Sequence, residues 1–308
     1  MRVLGIDVGG TKVEIASVVD GRAIAPQQER TPLEDSGALI DCIESLARTV
    51  IDQDGAPEAI GVGVPSQVDY ATGTVVSSVN IPLEGVALRA ELESRFGVPV
   101  FVDNDGNVAA LAEAQLVEDG PTSHLVMLTL GTGVGGGVII DGRVFRGATG
   151  LGAELGHMVI EADGLPCPGR TCPNRGCIEA YCSGSALERA AGVSGEDVEA
   201  RARQGDGVAR GHLEDLGRWL GVGLSNFVNI FEPEHIVIGG GLGASASDLF
   251  LPTALEEARS RALPPGLKRL KVSLAKGGSD AGVIGAGVLA QMEHALTMGE
   301  RDTARSKT

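Results

Sequence analysis

Short β-branched runs alternate with stretches of helical spacing along this chain, and one of the patterns occurs twice. The first copy, Leu4-Gly5-Ile6-Asp7-Val8, meets Gly9-Gly10-Thr11-Lys12, continues apolar to Val19 and closes with Asp20-Gly21-Arg22. The second reads Leu128-Thr129-Leu130-Gly131-Thr132-Gly133-Val134-Gly135-Gly136-Gly137, runs through Val138-Ile139-Ile140 and closes with Asp141-Gly142-Arg143. Each predicts a strand, a glycine-rich turn and a second strand, because β-branched runs flank residues that tolerate positive φ. Between them the spacing predicts a helix over Leu33–Ile51, a buried strand over Ala59–Val64 ending in the turn Pro65-Ser66-Gln67, and a helix over Leu88–Phe96. A strand over Val98–Val102 and a helix over Val108–Leu116 follow. This order argues for an α/β protein whose mostly parallel sheet is covered by helices.

Glu118-Asp119-Gly120-Pro121 is polar and turn-forming and precedes the second hairpin, so it marks a boundary between lobes 1–118 and 119–308. The second lobe is expected to hold a Gly- and Cys-rich excursion from Gly147 to Gly184, a helix over His212–Phe231, and a strand from His235 that opens onto Gly239-Gly240-Gly241. A final helix from Gly282 to His294, or about 282–296, is free to pack back on the first lobe, and Glu300–Thr308 reads as a frayed tail.

A length of 308 residues with 43% hydrophobic composition is enough for two cores. No apolar run approaches the roughly 18 residues of a membrane span, and the N-terminus enters a strand without a signal segment, so a cytoplasmic protein with no membrane partner is expected. With 25 basic and 41 acidic residues the formal charge is −16, a balance that repels nucleic acid. Any bound phosphate must then be held by local devices.

The glycine turns are the candidate device, because side-chain-free residues let successive backbone N–H groups surround an anion. Gly131-Thr132-Gly133-Val134-Gly135-Gly136 fits G-x-G-x-x-G, but a strand and not a helix follows, so the dinucleotide reading fails. A single such turn would mean turn geometry alone. Two matched copies, with Gly239-Gly240-Gly241 and Gly277-Gly278-Ser279 placed to bracket a base and ribose, favour a nucleotide. Lys12 is a candidate phosphate partner. Asp7 suits Mg²⁺ met through water, or is a plain turn cap. Asp105 stands where a buried strand gives way to a helix, a place where α/β sheets expose reactive groups, and the helix N-terminus favours its ionised form. Asn104 can donate and accept, which suits a polyhydroxylated ligand. The alternative is that Asp103 or Asp105 simply caps the helix.

Three of five cysteines crowd together as Cys167, Cys172 and Cys177. With His157 they make a Cys₃His set, a common closed tetrahedral zinc site, the alternative being free thiols. The intervening prolines and glycines indicate a loop without regular structure of its own, which a metal would order. Cys42 and Cys182 read as ordinary residues. Glu154 and Glu179 flank the loop, either to accept hydrogen bonds from sugar hydroxyls or as solvated surface.

Taken with Val102-Asp103-Asn104-Asp105, Glu154-Leu155-Gly156-His157 and Cys172-Pro173-Asn174-Arg175-Gly176-Cys177-Ile178-Glu179, the pattern resembles the ROK family of sugar kinases and repressors, most closely its bacterial glucokinases. The resemblance implies a two-lobed actin-like, ribonuclease H-like (hexokinase-type) ATPase fold with a hinged cleft, and ATP-dependent phosphorylation of a hexose to its 6-phosphate. It implies Asp105 as catalytic base, and Asn80, Asn104, Glu154 and Glu179 on sugar hydroxyls. His157 would lie close to the sugar while ligating Zn²⁺ with Cys167, Cys172 and Cys177. Phosphates of ATP with Mg²⁺ fall to Asp7, Gly9, Gly10, Thr11 and Lys12 and to Gly131, Thr132 and Gly133, and the adenosine to Gly239, Gly240 and Gly241. A homodimer or homotetramer is the family expectation. Fructose, N-acetylglucosamine or N-acetylmannosamine as acceptor, or polyphosphate as donor, are alternatives within the class. A sugar-sensing regulator is the alternative outside it, disfavoured by the absence of a DNA-binding segment before the strand at Val3. Three positions depart from the family pattern: Cys167 and Cys172 are spaced more widely than C-x-C, Ser66 stands where glycine is usual, and no tryptophan follows Pro82.

Overall fold

The computed structural model describes residues 1–117, 120–169 and 172–305. The expected boundary at Glu118 and Asp119 therefore lies outside the described residues, as do the last three residues of the expected tail. The chain divides into two compact units. One comprises Met1–Pro121, Val144–Gly152 and the chain from Lys276 onward; the other comprises Thr122–Arg143 and Ala153–Ala275. The sequence reading has no counterpart for Val144–Gly152.

The first unit runs β1 (Val3–Val8), β2 (Lys12–Val19), β3 (Arg22–Arg30), α1 (Ser36–Asp54), β4 (Ala59–Val64), β5 (Ser66–Asp69), β6 (Thr74–Ser78), α2 (Leu88–Phe96), β7 (Val100–Asn104) and α3 (Asp105–Leu116). Its sheet has the order β3-β2-β1-β4-β7. Pairing is antiparallel within the hairpins and parallel from β1 to β4 to β7, so the sheet is mixed rather than mostly parallel. The second unit runs β8 (Leu125–Leu130), β9 (Val134–Ile140), β10 (Arg143–Val144), α4 (Glu179–Cys182), α5 (Gly184–Ala191), α6 (Gly195–Arg203), α7 (Gly207–Phe231), β11 (His235–Gly239), α8 (Gly240–Arg261), α9 (Pro264–Leu267) and β12 (Lys271–Leu274). Its sheet repeats the same scheme as β10-β9-β8-β11-β12. Even the hairpin tips match: Asp20 and Gly21 have φ of 50° and 72°, and Asp141 and Gly142 have φ of 52° and 72°. Asp and Gly are the residues that visit this left-handed region most cheaply.

Each sheet carries one main apolar core. Leu4, Ile6, Val13, Ile15, Ile43, Ile60 and Leu92 share the first core, and Leu128, Val138, Leu220, Phe227, Ile236 and Phe250 the second. The last helix, α10 (Ala281–Arg305), packs on β1, β4 and α3 of the first unit. It comes close because the strands offer glycine there: a Cβ on Gly5 would run into the Val283 carbonyl oxygen, and one on Gly61 into that of Ala286.

Several local expectations are corrected. The first helix starts at Ser36, not Leu33, because Asp35 is its N-cap and accepts from the Ala38 N–H at 2.9 Å. Ser66 and Gln67 are not a turn but the start of β5, which pairs with β6. β7 lies two residues later than expected, and α3 begins at Asp105 because Asn104, neither Asp103 nor Asp105, is its cap. Gly240 and Gly241 open α8 rather than only a turn, and α10 runs past His294 and through Arg305 into the expected tail. Among the described residues no helix is long and apolar enough to cross a membrane.

Candidate functional site

Both glycine turns solve the same backbone problem in the same way. In the first, Gly9 N–H donates to the Lys12 carbonyl at 2.8 Å; Thr31 ties back the turn's own carbonyls, its hydroxyl on Gly9 at 2.7 Å and its N–H on Thr11 at 3.0 Å. In the second, Gly131 N–H donates to Gly133 at 3.0 Å, while Gly184 N–H, at the start of α5, and Ser185 N–H donate to the carbonyls of Gly131 and Thr132 at 2.6 and 3.3 Å. What remains in each is a pair of adjacent amides, Gly10 with Thr11 and Thr132 with Gly133, that donate to no protein acceptor among the described residues. Paired amides of this kind form an anion-binding concavity. Lys12, by contrast, is engaged: its Nζ pairs with Glu14 at 2.7 Å and lies 3.4 Å from the Gln28 side-chain oxygen.

The other two glycine segments do different work. Gly240 adopts φ of +80° and is pressed against the Leu130 backbone, where no side chain fits. The amides of Lys276 and Gly277 are already taken by buried Glu113, whose carboxylate accepts from both at 2.7–3.0 Å. That segment is clamped to α3 and offers these amides to no ligand.

At the end of β7 the polypeptide sorts its acidic groups. Asp103 is buried, and its Oδ1 accepts from the Asn104 N–H and from Asn107 Nδ2, both at 2.8 Å. Asn104 Oδ1 caps α3 on the Gly106 N–H at 2.9 Å, and its Nδ2 donates to the Ser66 carbonyl at 3.2 Å. Part of the hydrogen-bonding capacity expected to serve a ligand is therefore spent on the corner itself. Asp105 is the exposed member, the first residue of α3, and its Oδ1 also accepts from the Gly106 N–H at 2.8 Å. Asn80 is exposed, with its Cβ against Gly10.

Asp7 shares the field of Asp105. Burial raises its carboxyl to about 6, helped by the charges of Asp105 and Glu14 and opposed by Lys12. Its side chain rests against Gly282 in the first turn of α10. Two carboxylates of this kind, with the nearby ammonium already paired to Glu14, suit a hard divalent cation.

In the second unit the turn Leu155–His157 packs on β9, where Gly156 abuts the Val134 carbonyl and Gly136 abuts Leu155. Ala153 takes a left-handed φ of 64° as the chain enters exposed Glu154, local strain of the kind that collects at functional sites. His157, Cys167, Cys172 and Cys177 present ligand atoms that all lie within 4.8 Å of one another. A tetrahedral zinc with Zn–S bonds of about 2.3 Å sets its sulfurs about 3.8 Å apart. The Cys172 and Cys177 sulfurs are 3.8 Å apart, and Cys167 Sγ lies 3.3 Å from His157 Nδ1, so the donor set fits that ion. The widened spacing to Cys172 does not keep Cys167 from the set; Arg170 and Thr171 between them lie outside the described residues. The Asn174 N–H draws the Cys172 thiol below its ordinary value, whereas burial pushes Cys167 up and Cys177 to about 12. Glu179, the first residue of α4, turns from the cluster to the glycine hairpin, where Oε2 accepts from the Val134 N–H at 2.9 Å. A Cβ on Gly133 would collide with it, so the cysteine loop and the second turn are built as one piece.

The described residues thus place Asp7, Asn104, Asp105, Asn80 and the first turn in one unit, and the Cys₃His set, Glu154, Glu179 and the second turn in the other. A model of the ROK family matches residues 3–293. The chain belongs to the ROK family. It is similar to a glucokinase from Halalkalibacterium halodurans, 32% identical over 96% of this chain and 97% of that protein. It is also similar to an N-acetyl-D-glucosamine kinase from Vibrio cholerae, 33% identical over 92% of this chain and 98% of that one. A Streptomyces griseus ROK glucokinase solved with glucose and AMPPNP superposes with a TM-score of 0.75, at 31% identity over 95% of this chain and all of the other. The fold of this ROK protein is accordingly the hexokinase-type α/β fold.

Sequence reasoning passed over Arg146 and Glu113. Arg146 donates from Nε to Asp103 Oδ2 at 2.7 Å, and the signal for it was a single arginine opening the glycine-rich Arg146-Gly147-Ala148-Thr149-Gly150 in a chain short of basic residues. Glu113 gave no signal, since a glutamate late in a helix reads as solvated surface.

A prediction follows for Asp7. A carboxyl whose folded pKa exceeds its unfolded value binds its proton more tightly when folded, so its contribution to stability is lost as pH rises from about 4 to about 6. Asp7→Asn removes that loss. In urea melts without divalent cations the variant is expected to match wild type near pH 4 and to exceed it by on the order of 2 kcal/mol above pH 6.5. A difference independent of pH would contradict the assignment.

Proposed function

We propose that this ROK protein is a sugar kinase that transfers the γ-phosphoryl group of ATP to a hexose hydroxyl, with glucose as the first candidate acceptor and Asp105 as general base. The observation that carries the reading is the corner at the end of β7. One carboxylate, Asp103, is buried to hold the backbone, and the next, Asp105, is left exposed with its position fixed. Phosphoryl transfer asks a protein mainly for positioning and charge stabilisation, and paired amides in both glycine turns offer that to phosphate oxygens.

In the reaction the hydroxyl proton passes to the Asp105 carboxylate as the new oxygen–phosphorus bond forms. The bond from the γ-phosphorus to the bridging oxygen breaks, and ADP leaves with its electron pair. Mg²⁺ would supply charge neutralisation at the phosphates, and Asp7 is the residue suited to hold it through water. Asn80, Asn104, Glu154 and Glu179 would hydrogen-bond the sugar hydroxyls. Zn²⁺ on His157, Cys167, Cys172 and Cys177 would fix the loop that carries His157 and precedes Glu179. The Gly239–Gly241 segment would lie near the adenosine.

Glucose is placed first because the glucokinase likeness spans nearly the whole chain. N-acetylglucosamine is placed second because the Vibrio cholerae kinase matches at similar identity and breadth.

Coupled ADP assays with both sugars test the reading. Asp105→Asn is expected to lower kcat by about 10²–10⁴ while sugar affinity and Tm stay close to wild type. Retention of most activity would refute the base. Elemental analysis is expected to find one zinc per chain, lost in Cys177→Ser together with a rise in sugar KM larger than that in ATP KM. Metal-free active protein would remove zinc from the account.

A further inference from the structure

Arg146 lies in Val144–Gly152, the segment of the first unit that begins at the last residue of β10. Its guanidinium serves two carboxylates on two elements, with Nε 2.7 Å from Asp103 Oδ2 on β7 and Nη2 3.1 Å from Glu293 Oε1 on α10. Its flat face lies over the Tyr70 ring, 3.6 Å from the centroid. The segment is seated closely here: Gly150 has φ of +99°, and a Cβ on it would stand 2.5 Å from the Val68 carbonyl oxygen and 2.9 Å from the Tyr70 nitrogen. Side-chain exposure is 14% for Arg146 and 3% for Asp103, so this is a desolvated pair and not a surface contact.

We propose that Arg146 is a positioning residue for phosphoryl transfer, holding Asp103 so that the corner presents Asn104 and Asp105 in a single orientation. The inference rests on Asp105 as the base. Asp103 Oδ1 grips the Asn104 N–H on one side of Asp105 and the Asn107 side chain on the other, both at 2.8 Å. Arg146 is the charge partner of the remaining oxygen. Removing a single partner from a buried ion pair leaves a charge that the interior cannot solvate, and the carboxylate escapes by rotating or by taking up a proton. Rotation releases Asn104 and Asn107 together, and protonation weakens Oδ1 as their acceptor; either loosens the direction of Asp105. Lysine cannot replace the fork, because one ammonium cannot reach two carboxylates and also lie flat on an aromatic ring.

The test uses the whole chain with glucose, ATP and Mg²⁺. Arg146→Lys is expected to lower kcat about 10- to 100-fold, the cost of a displacement near 1 Å at a reacting group, while ATP KM stays within about twofold and the fold melts above the assay temperature. In Arg146→Ala, millimolar guanidinium is expected to recover part of the lost kcat, with no effect on wild type. Wild-type kcat in Arg146→Lys would overturn the inference. So would a fall in activity that tracks loss of folded protein, with both KM values shifting alike and no guanidinium rescue. Activity in Asp105→Asn sinks the base itself, whereas activity in Arg146→Lys beside an inactive Asp105→Asn sinks only the role of Arg146.

Discussion

A backbone amide can serve an incoming anion only if its own chain does not consume it, and both hairpins of this protein are built around that constraint. Strand pairing, antiparallel within the hairpins and parallel beyond them, takes most amides of β1, β2, β8 and β9. The turns would ordinarily close on themselves as well. They are kept open because their carbonyls find other donors, Thr31 behind the first turn and the N-terminus of α5 behind the second. The device is duplicated with its surroundings, down to the sheet order and the left-handed Asp-Gly tips. Gly133 is demanded because Glu179 occupies the space of its side chain.

A second constraint acts on the charges of a strongly acidic chain. Carboxylates that enter the interior are fully engaged: Asp103 by Arg146, Asn107 and the Asn104 amide, and Glu113 by the amides of Lys276 and Gly277. Asp7, half-buried beside Glu14 and Asp105, is the exception, its carboxyl raised by burial and by those two charges. The cysteine cluster follows the same logic, three thiols and an imidazole converging within 4.8 Å of one another.

Much of this was legible in the residues. The repeated hairpins, β4, α2 and the Cys₃His grouping follow from β-branched runs, amphipathic spacing and ligand chemistry. β3 was not legible, because Arg-Ala-Ile-Ala-Pro-Gln-Gln-Glu-Arg is a polar edge strand without alternation. Pro65-Ser66 reads as a turn, yet the chain uses it to begin β5. Gly239-Gly240-Gly241 reads as a turn, although a glycine at positive φ beside Leu130 is what lets α8 follow β11 directly. Asp105 stands at the strand-to-helix corner where the sequence places it, whereas the cap that the alternative reading gave to Asp103 or Asp105 is provided by Asn104. The engagement of Lys12 by Glu14 and of Lys276–Gly277 by Glu113 belongs to tertiary contacts that no local pattern encodes.

We propose that backbone amides of the two glycine turns receive the phosphates of ATP. Amide spectra of isotope-labelled protein, recorded as AMPPNP and Mg²⁺ are added, test it most directly. The account predicts that the signals of Gly10, Thr11, Thr132 and Gly133 shift downfield with the nucleotide and saturate together. Nucleotide binding that leaves those four signals unmoved would contradict it.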